Sequence, residues 1–212
     1  MKSTHAKPET LLFDLGGVIV PWLGFEALSK ITQMTAQDIA HRFTQNPVLK
    51  AYEIGQCSDQ EFISETLRAF NLDMTEAELK RLWCDGVKRP YPGIYEMLDT
   101  LRKTYKTACL SNTNALHWAH LKTYLDPDVH FDHPMASHIM GLAKPDPNIY
   151  LAAIKDIGVN PSNIWFFDDT LQNVEAARLV GMRTFHIDKA VGVIPTLIDL
   201  DLYNSVSPVS IS

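Results

Sequence analysis

Four short polar groups sit at the ends of apolar runs or just ahead of a helical pattern. Asp14 follows Leu11-Leu12-Phe13, Ser111-Asn112-Thr113 follows the 107–110 run, Lys144 precedes Pro145, and Asp168-Asp169 follow Trp165-Phe166-Phe167. The apolar runs read as buried strands, and open parallel sheets bind ligands at the carboxyl ends of their strands. Three carboxylates in one cleft repel one another unless a cation offsets them, and an all-oxygen set suits a hard ion such as Mg2+. A lysine, a hydroxyl and backbone amides beside a carboxylate nucleophile offer opposite charge and oriented donors to phosphoryl oxygens. The implied chemistry is metal-assisted transfer of a phosphoryl group.

The elements that must position these groups follow from periodicity. Gly16-Gly17 break the first apolar run, so the strand opens into a tight turn right after Asp14. From Phe25 to about Trp83 the spacing is helical: Leu28, Ile31 and Met34, then Phe62, Ile63, Leu67 and Phe70, then Leu79 and Leu82. Thr35 ahead of residues 36–43, and Ser58 with Glu61 three residues on, mark helix starts, the second as a capping box. Beyond Arg89-Pro90-Tyr91-Pro92-Gly93 the chain alternates. Helices are predicted at 94–102, 115–124, 148–157, 172–180 and 193–200, and strands at 107–110, 133–137, 164–167 and 183–187. Strand and helix in turn predict an α/β fold: a Rossmann-like parallel sheet flanked by helices, with a small helical bundle inserted after the first strand. The expected division is a core of residues 1–20 and 88–212 and a helical cap of residues 21–87, with a mobile Ser-rich tail from Ser205.

Of the 212 residues, 46% are apolar and 21% charged, a balance that fits one main folded domain with an insert. The formal net charge is -6 and the basic residues are scattered, which leaves no basic stripe for a nucleic-acid backbone. Cys57, Cys84 and Cys109 are odd in number and widely spaced, arguing against a disulfide framework or a Cys-x-x-Cys metal site and for a reducing compartment. No run approaches the ~18 apolar residues that span a bilayer, and the polar residues 1–10 lack a cleavable-leader pattern. The expectation is a cytoplasmic protein, monomer or homodimer, with a small-molecule partner and neither membrane nor nucleic acid.

In this order and spacing the four groups resemble the motifs of the haloacid dehalogenase (HAD) superfamily over nearly the whole chain. The first is Phe13-Asp14-Leu15-Gly16-Gly17-Val18 and the second Leu110-Ser111-Asn112-Thr113-Asn114. The third is Gly141-Leu142-Ala143-Lys144-Pro145-Asp146-Pro147, and the fourth Phe167-Asp168-Asp169 with Asn173. The resemblance implies a magnesium-dependent phosphatase acting on a small phosphorylated metabolite, with sugar phosphates among the options. It also implies that Asp14 attacks phosphorus to form an aspartyl-phosphate while Ser111, Asn112 and Lys144 hold phosphoryl oxygens. Asp14, the Gly16 carbonyl and Asp169 would bind Mg2+, with Asp168 a ligand through water or a supporting partner.

One position departs from the pattern. Most phosphatases of the superfamily carry a second aspartate two residues after the nucleophile, which protonates the leaving alcohol and later activates water; here that residue is Gly16. A positioned acid/base is worth ~10²–10⁴-fold in rate, so the expectation is a slow phosphatase, one with another acid, or one whose leaving group needs little help. The Asp-Leu-Gly-x-Val form is similar to a subgroup that includes an α-D-glucose-1-phosphate phosphatase, whose anomeric leaving group is more acidic than an ordinary alcohol. The Tyr52-Glu53-Ile54-Gly55 turn resembles that subgroup's cap loop. Glu53 is therefore a candidate for binding sugar hydroxyls or replacing the acid/base, against the plain alternative of a solvated charge between helices.

Two other functions fit parts of the same set. A metal-independent 2-haloacid dehalogenase uses a similar aspartate, but it would leave Asp168 and Asp169 without purpose, and its family's tyrosine is absent at Gly16. A phosphate-binding module disabled by Gly16 is the other. His130, His133 and His138 with Asp132 do not have zinc-site spacing and are expected to be structural or solvent-exposed. Trp22, Phe43 and Tyr52 either line the cleft under the insert or form the insert's core.

Overall fold

The computed structural model describes residues 7–204. Every residue of Thr10–Phe13 is buried, which requires a strand covered on both faces; this is β1. The insert follows as α1 (Gly24–Ser29), α2 (Ala36–Gln45), α3 (Pro47–Glu53), α4 (Asp59–Phe70) and α5 (Glu76–Cys84). Helices and strands then alternate: α6 (Ile94–Leu101), β2 (Lys106–Ser111), α7 (Ala115–Lys122), α8 (Pro127–His130), β3 (His133–Ala136), α9 (Ser137–Met140) and α10 (Pro147–Ile157). The chain continues through β4 (Ile164–Asp168), α11 (Leu171–Leu179), β5 (Arg183–His186) and α12 (Ile194–Asp199).

The five strands form one parallel sheet in the order β3-β2-β1-β4-β5. Strand alternation divides its side chains between two cores. Leu11, Phe13, Cys109, Trp165 and Phe167 pack with Met97, Leu98, Trp118 and Leu197 from α6, α7 and α12. Leu12, Ala108, Leu110 and Phe166 pack on the other face with Ile149, Tyr150 and Ala153 from α10 and with Ala177 from α11. Full burial of side chains of this size stabilises by about 1.5–3 kcal/mol each. The sheet is the α/β, Rossmann-like sheet read from the sequence. The order in which strands are added reverses between β1 and β4, and the crevice outside their carboxyl ends is where such sheets bind ligands.

The insert has an apolar centre of its own, including Leu28, Ile39, Phe62, Leu79 and Trp83. Trp83 stacks on Phe43 at 5.4 Å, and Tyr52 stacks on Phe62 at 4.1 Å. Trp22, Phe43 and Tyr52 all belong to this packing, which favours the core alternative for them. Capping boxes start α2, α4 and α5, at Thr35, Ser58 and Thr75.

One local reading of the sequence changes, and one helix has no counterpart in that reading. Leu28, Ile31 and Met34 do not share a helix, because α1 ends at Ser29. There Thr32 Oγ1 donates to the Leu28 carbonyl and Ser29 Oγ to the Met34 carbonyl, side-chain bonds that favour a turn over further helix. Helix α3 carries no long apolar period; its start is set instead by Asn46, whose Oδ1 accepts from Val48 and Leu49 N–H, with Pro47 at the first helical position. The tail expected from Ser205 lies outside the described residues. Among the described residues no helix is long and apolar enough to cross a membrane.

Candidate active site

Register brings the acids together. Phe13 pairs with Phe167 on one side and Cys109 on the other, so the next residues along β1 and β4, Asp14 and Asp168, emerge side by side. Ser111 ends β2 two residues beyond Cys109 and is buried at the same sheet edge. Lys144 reaches this edge from the loop before α10. Its Nζ lies 3.0 Å from Asp14 Oδ1 and 2.7 Å from Asp168 Oδ2. Asn112 anchors that loop: its Nδ2 donates to the Lys144 carbonyl and its Oδ1 accepts the Lys144 N–H, both at 2.8 Å. The Asn112 side chain, a candidate phosphate ligand in the sequence, is thus occupied in holding Lys144.

The two neighbouring aspartates differ sharply. Asp168 is fully buried and accepts from Lys144 Nζ, from Asn173 Nδ2 at 3.0 and 3.1 Å, and from Thr170 N–H at 2.8 Å. Those donors hold both of its oxygens and make it the support of Lys144. Asp169 is half-buried and lies against the Gly16-Gly17 turn. A Cβ on Gly17, where φ is +74°, would fall 2.4 Å from Asp169 Oδ2, so both conformation and close approach demand glycine there. Periodicity gives no sign of this role for Gly17; the paired glycines after a strand are its only trace.

Oxygens of Asp14, Asp168 and Asp169 lie within 4.8 Å of one another, and this is the only His/Cys/Asp/Glu cluster with metal-ligand spacing among the described residues. Asp14 is raised to about 7, first by burial and then by Asp168 and Asp169, against the opposing pull of Lys144. Asp169 is also raised, by burial and then by Asp168. One lysine does not neutralise three carboxylates, so a hard divalent cation with oxygen ligands fits this donor set.

Glu53 enters the same region from the end of α3. Its carboxyl is raised by burial, and Lys144 and the Asn112 amide draw it back down, which puts all three groups within electrostatic reach. The histidines are not part of this carboxylate cluster. His133 Nδ1 pairs with Asp156 at 2.8 Å, His130 packs near Tyr95 at 5.6 Å, and His138 is half-buried near Trp118. Sequence reasoning missed His117, a buried residue of α7 whose Nε2 lies 2.9 Å from the Trp83 carbonyl at the end of α5. Burial lowers it to about 4, so it joins insert to core as a neutral imidazole.

A family model described as haloacid dehalogenase-like hydrolase matches residues 8–181. The chain belongs to the HAD-like hydrolases. A D-ribitol-5-phosphate phosphatase of Bacteroides thetaiotaomicron is 27% identical over 186 residues, 84% of this HAD chain and 90% of the relative. A phosphorylated carbohydrates phosphatase of Thermotoga maritima is 27% identical over 198 residues, 90% of this chain and 88% of the relative. A HAD family enzyme of Bacteroides thetaiotaomicron, solved in complex with magnesium and inorganic phosphate, superposes with a TM-score of 0.72 at 26% identity. That superposition covers 84% of this chain and 93% of the other.

Proposed function

We propose that this HAD hydrolase is a cytoplasmic, magnesium-dependent phosphatase of a small phosphorylated sugar or polyol. The observation that carries the reading is Lys144, buried between Asp14 and Asp168 with Asp169 beside them. A cation fixed next to a carboxylate nucleophile serves an incoming phosphoryl group, which brings negative charge of its own. Relatives that act on ribitol 5-phosphate and on phosphorylated carbohydrates support the substrate class. The three clustered carboxylates weigh against a metal-independent dehalogenase.

In this reading Asp14 attacks phosphorus, the ester oxygen departs with the bonding electrons, and water then hydrolyses the aspartyl-phosphate to free phosphate and Asp14. Lys144 and Ser111 hold phosphoryl oxygens, with the main-chain N–H of Asn112, since its side chain is engaged. Asp14, Asp169 and the Gly16 carbonyl would hold Mg2+, and Asp168 positions Lys144. Mg2+ would offset the charge crowded onto the phosphoryl oxygens. Residues 21–87 act as the cap over this pocket, with Glu53 facing the substrate. A screen of phosphorylated sugars, polyols and nucleotides, read as free phosphate with Mg2+ present, tests the proposal; no release from any of them overturns it.

The acid cluster also predicts how metal and protons compete. Asp14 and Asp169 are raised above their unfolded values, so above the ordinary aspartate range and up to their folded values the metal-free fold holds more protons than the unfolded chain. The stability they confer is fully present below the ordinary aspartate range and is lost as pH rises, for Asp14 through about 7, with Asp169 acting in the same direction. Mg2+ replaces those protons, so its stabilising shift in Tm should be small at pH 5 and large at pH 8, and chelator should abolish turnover. Equal shifts at the two pH values would remove the metal from this cluster.

Gly16 sets the leaving-group preference. With no carboxyl at that position, sugar 1-phosphates and aryl phosphates should be cleaved faster than phosphates of ordinary alcohols. A Cβ at Gly16 would meet only Trp22 Cβ at 3.4 Å, an ordinary contact, so aspartate can enter there. Gly16→Asp should raise kcat on the poorest leaving groups by up to about 10²-fold. Rates of the native enzyme that ignore leaving-group acidity would assign the acid to another group, with Glu53→Gln the variant that tests it.

A further inference from the structure

The nucleophile is nearly closed off: Asp14, Ser111 and Lys144 are exposed by only 8%, 5% and 5%. The insert meets the core beside this edge, Tyr52 against Leu116 and Glu53 against Ser137, and that seam shows what holds the insert down. Ser137, fully buried where β3 gives way to α9, stands in that seam. Its Oγ lies 2.6 Å from the Glu53 carbonyl on the insert and 2.9 Å from the Thr113 carbonyl on the core, and it accepts the Thr113 N–H at 2.9 Å. A serine hydroxyl has one proton, and the shorter contact, to Glu53, takes it.

Two neighbouring contacts bind the same stretch of the insert. Gly55, at φ +69°, runs so close to the core that a Cβ would sit 2.2 Å from the His138 carbonyl oxygen. The Leu116 N–H of α7 donates to the Tyr52 hydroxyl at 3.3 Å. All of these contacts converge on residues 52–55, the segment that carries Glu53, and Thr113 belongs to the same loop as Ser111 and Asn112.

We infer that Ser137 is a positioning residue: its buried hydroxyl latches the Glu53 segment of the insert onto the phosphate-binding loop, setting the Glu53 carboxyl beside Lys144 and Asn112. The kinetic part of this inference rests on the phosphatase reading; the structural part does not. When the segment is seated, the part-buried Glu53 carbonyl takes its donor from Ser137. When the segment lifts, water supplies one. Removing the hydroxyl therefore penalises the seated state, whereas the loss at the Thr113 N–H falls on both states alike.

Ser137→Ala tests the latch by amide hydrogen exchange and by kinetics. Exchange across residues 52–57 should rise about tenfold, the scale of one lost hydrogen bond, while β1 and β4 stay protected. On ribitol 5-phosphate, kcat/KM should fall by about tenfold, with affinity for beryllium fluoride plus Mg2+ within twofold of the native value. In a Glu53→Gln background the same serine substitution should cost less than twofold, because both changes remove one service. Gly55→Ala, which blocks seating from a different contact, should reproduce the exchange pattern. Unchanged exchange at residues 52–57 in Ser137→Ala, or a full tenfold loss persisting on top of Glu53→Gln, overturns the inference. If the native protein hydrolyses no phosphate ester, the phosphatase reading fails while the exchange experiment still decides the latch.

Discussion

Asp14→Asn is expected to reduce phosphate release by about 10⁴-fold or more, the scale on which loss of a covalent catalytic group is felt. The fold should survive. An asparagine Oδ1 can still accept the Leu15 N–H, which lies 2.7 Å from Asp14 Oδ1, and can still face Lys144 Nζ. Metal-free stability at pH 8 should even rise slightly, because burial and two neighbouring acids make ionised Asp14 costly there, and the amide removes that charge. Acid-quenched native enzyme should carry a phosphoryl group on Asp14, and the variant should carry none. Residual activity within tenfold of the native level would place the nucleophile elsewhere and end the covalent mechanism.

Lys144→Met should damage stability and catalysis together. Breaking a buried ion pair by removing one partner costs roughly 3–5 kcal/mol, a large part of the 5–15 kcal/mol that holds a typical domain. Here the loss strands Asp14 and Asp168, the second of which has no solvent exposure. Burial alone would lower Lys144, but attraction to Asp14 and Asp168 outweighs it and holds the ammonium above its ordinary value. Its contribution is therefore present at every pH below the ordinary lysine range and fades only above it. Without the lysine, Asp14 is raised further and takes up a proton more easily, so the penalty should be largest near pH 8 and shrink towards pH 5. Urea melts at the two pH values measure this, and added Mg2+ should restore part of the loss. Turnover should fall by about 10²–10³-fold, the usual cost of losing a fixed donor to a charged transition state. Unchanged stability at pH 8 would mean that the lysine is not the counter-charge of these acids.

The α/β class, the strand ends that carry Asp14, Ser111 and Asp168-Asp169, and the family those motifs resemble are all legible from residue order alone. These features are legible because strand burial and helix capping are local: an apolar run bounded by glycine, or Ser58 with Glu61, has the same meaning wherever the chain goes next. Helix α3 was harder to read, because seven residues without a long apolar period leave only the Asn46-Pro47 start signal. The division of labour within the site needed the tertiary structure. Adjacent in sequence, Asp168 and Asp169 look equivalent. Where β4 ends, one turns to Lys144 and Asn173 and the other to the Gly16-Gly17 turn, a difference made by groups from the turn after β1, the loop before α10 and α11. In the same way Asn112 reads as a phosphate ligand until the fold brings the Lys144 backbone, 32 positions away, against both ends of its amide. Ser137 carries no signal in the chain at all, since its partners Thr113 and Glu53 are 24 and 84 positions away. Periodicity records which face of an element is buried; which polar atom meets which across a seam depends on strand order and packing, and those exist only once the chain has folded.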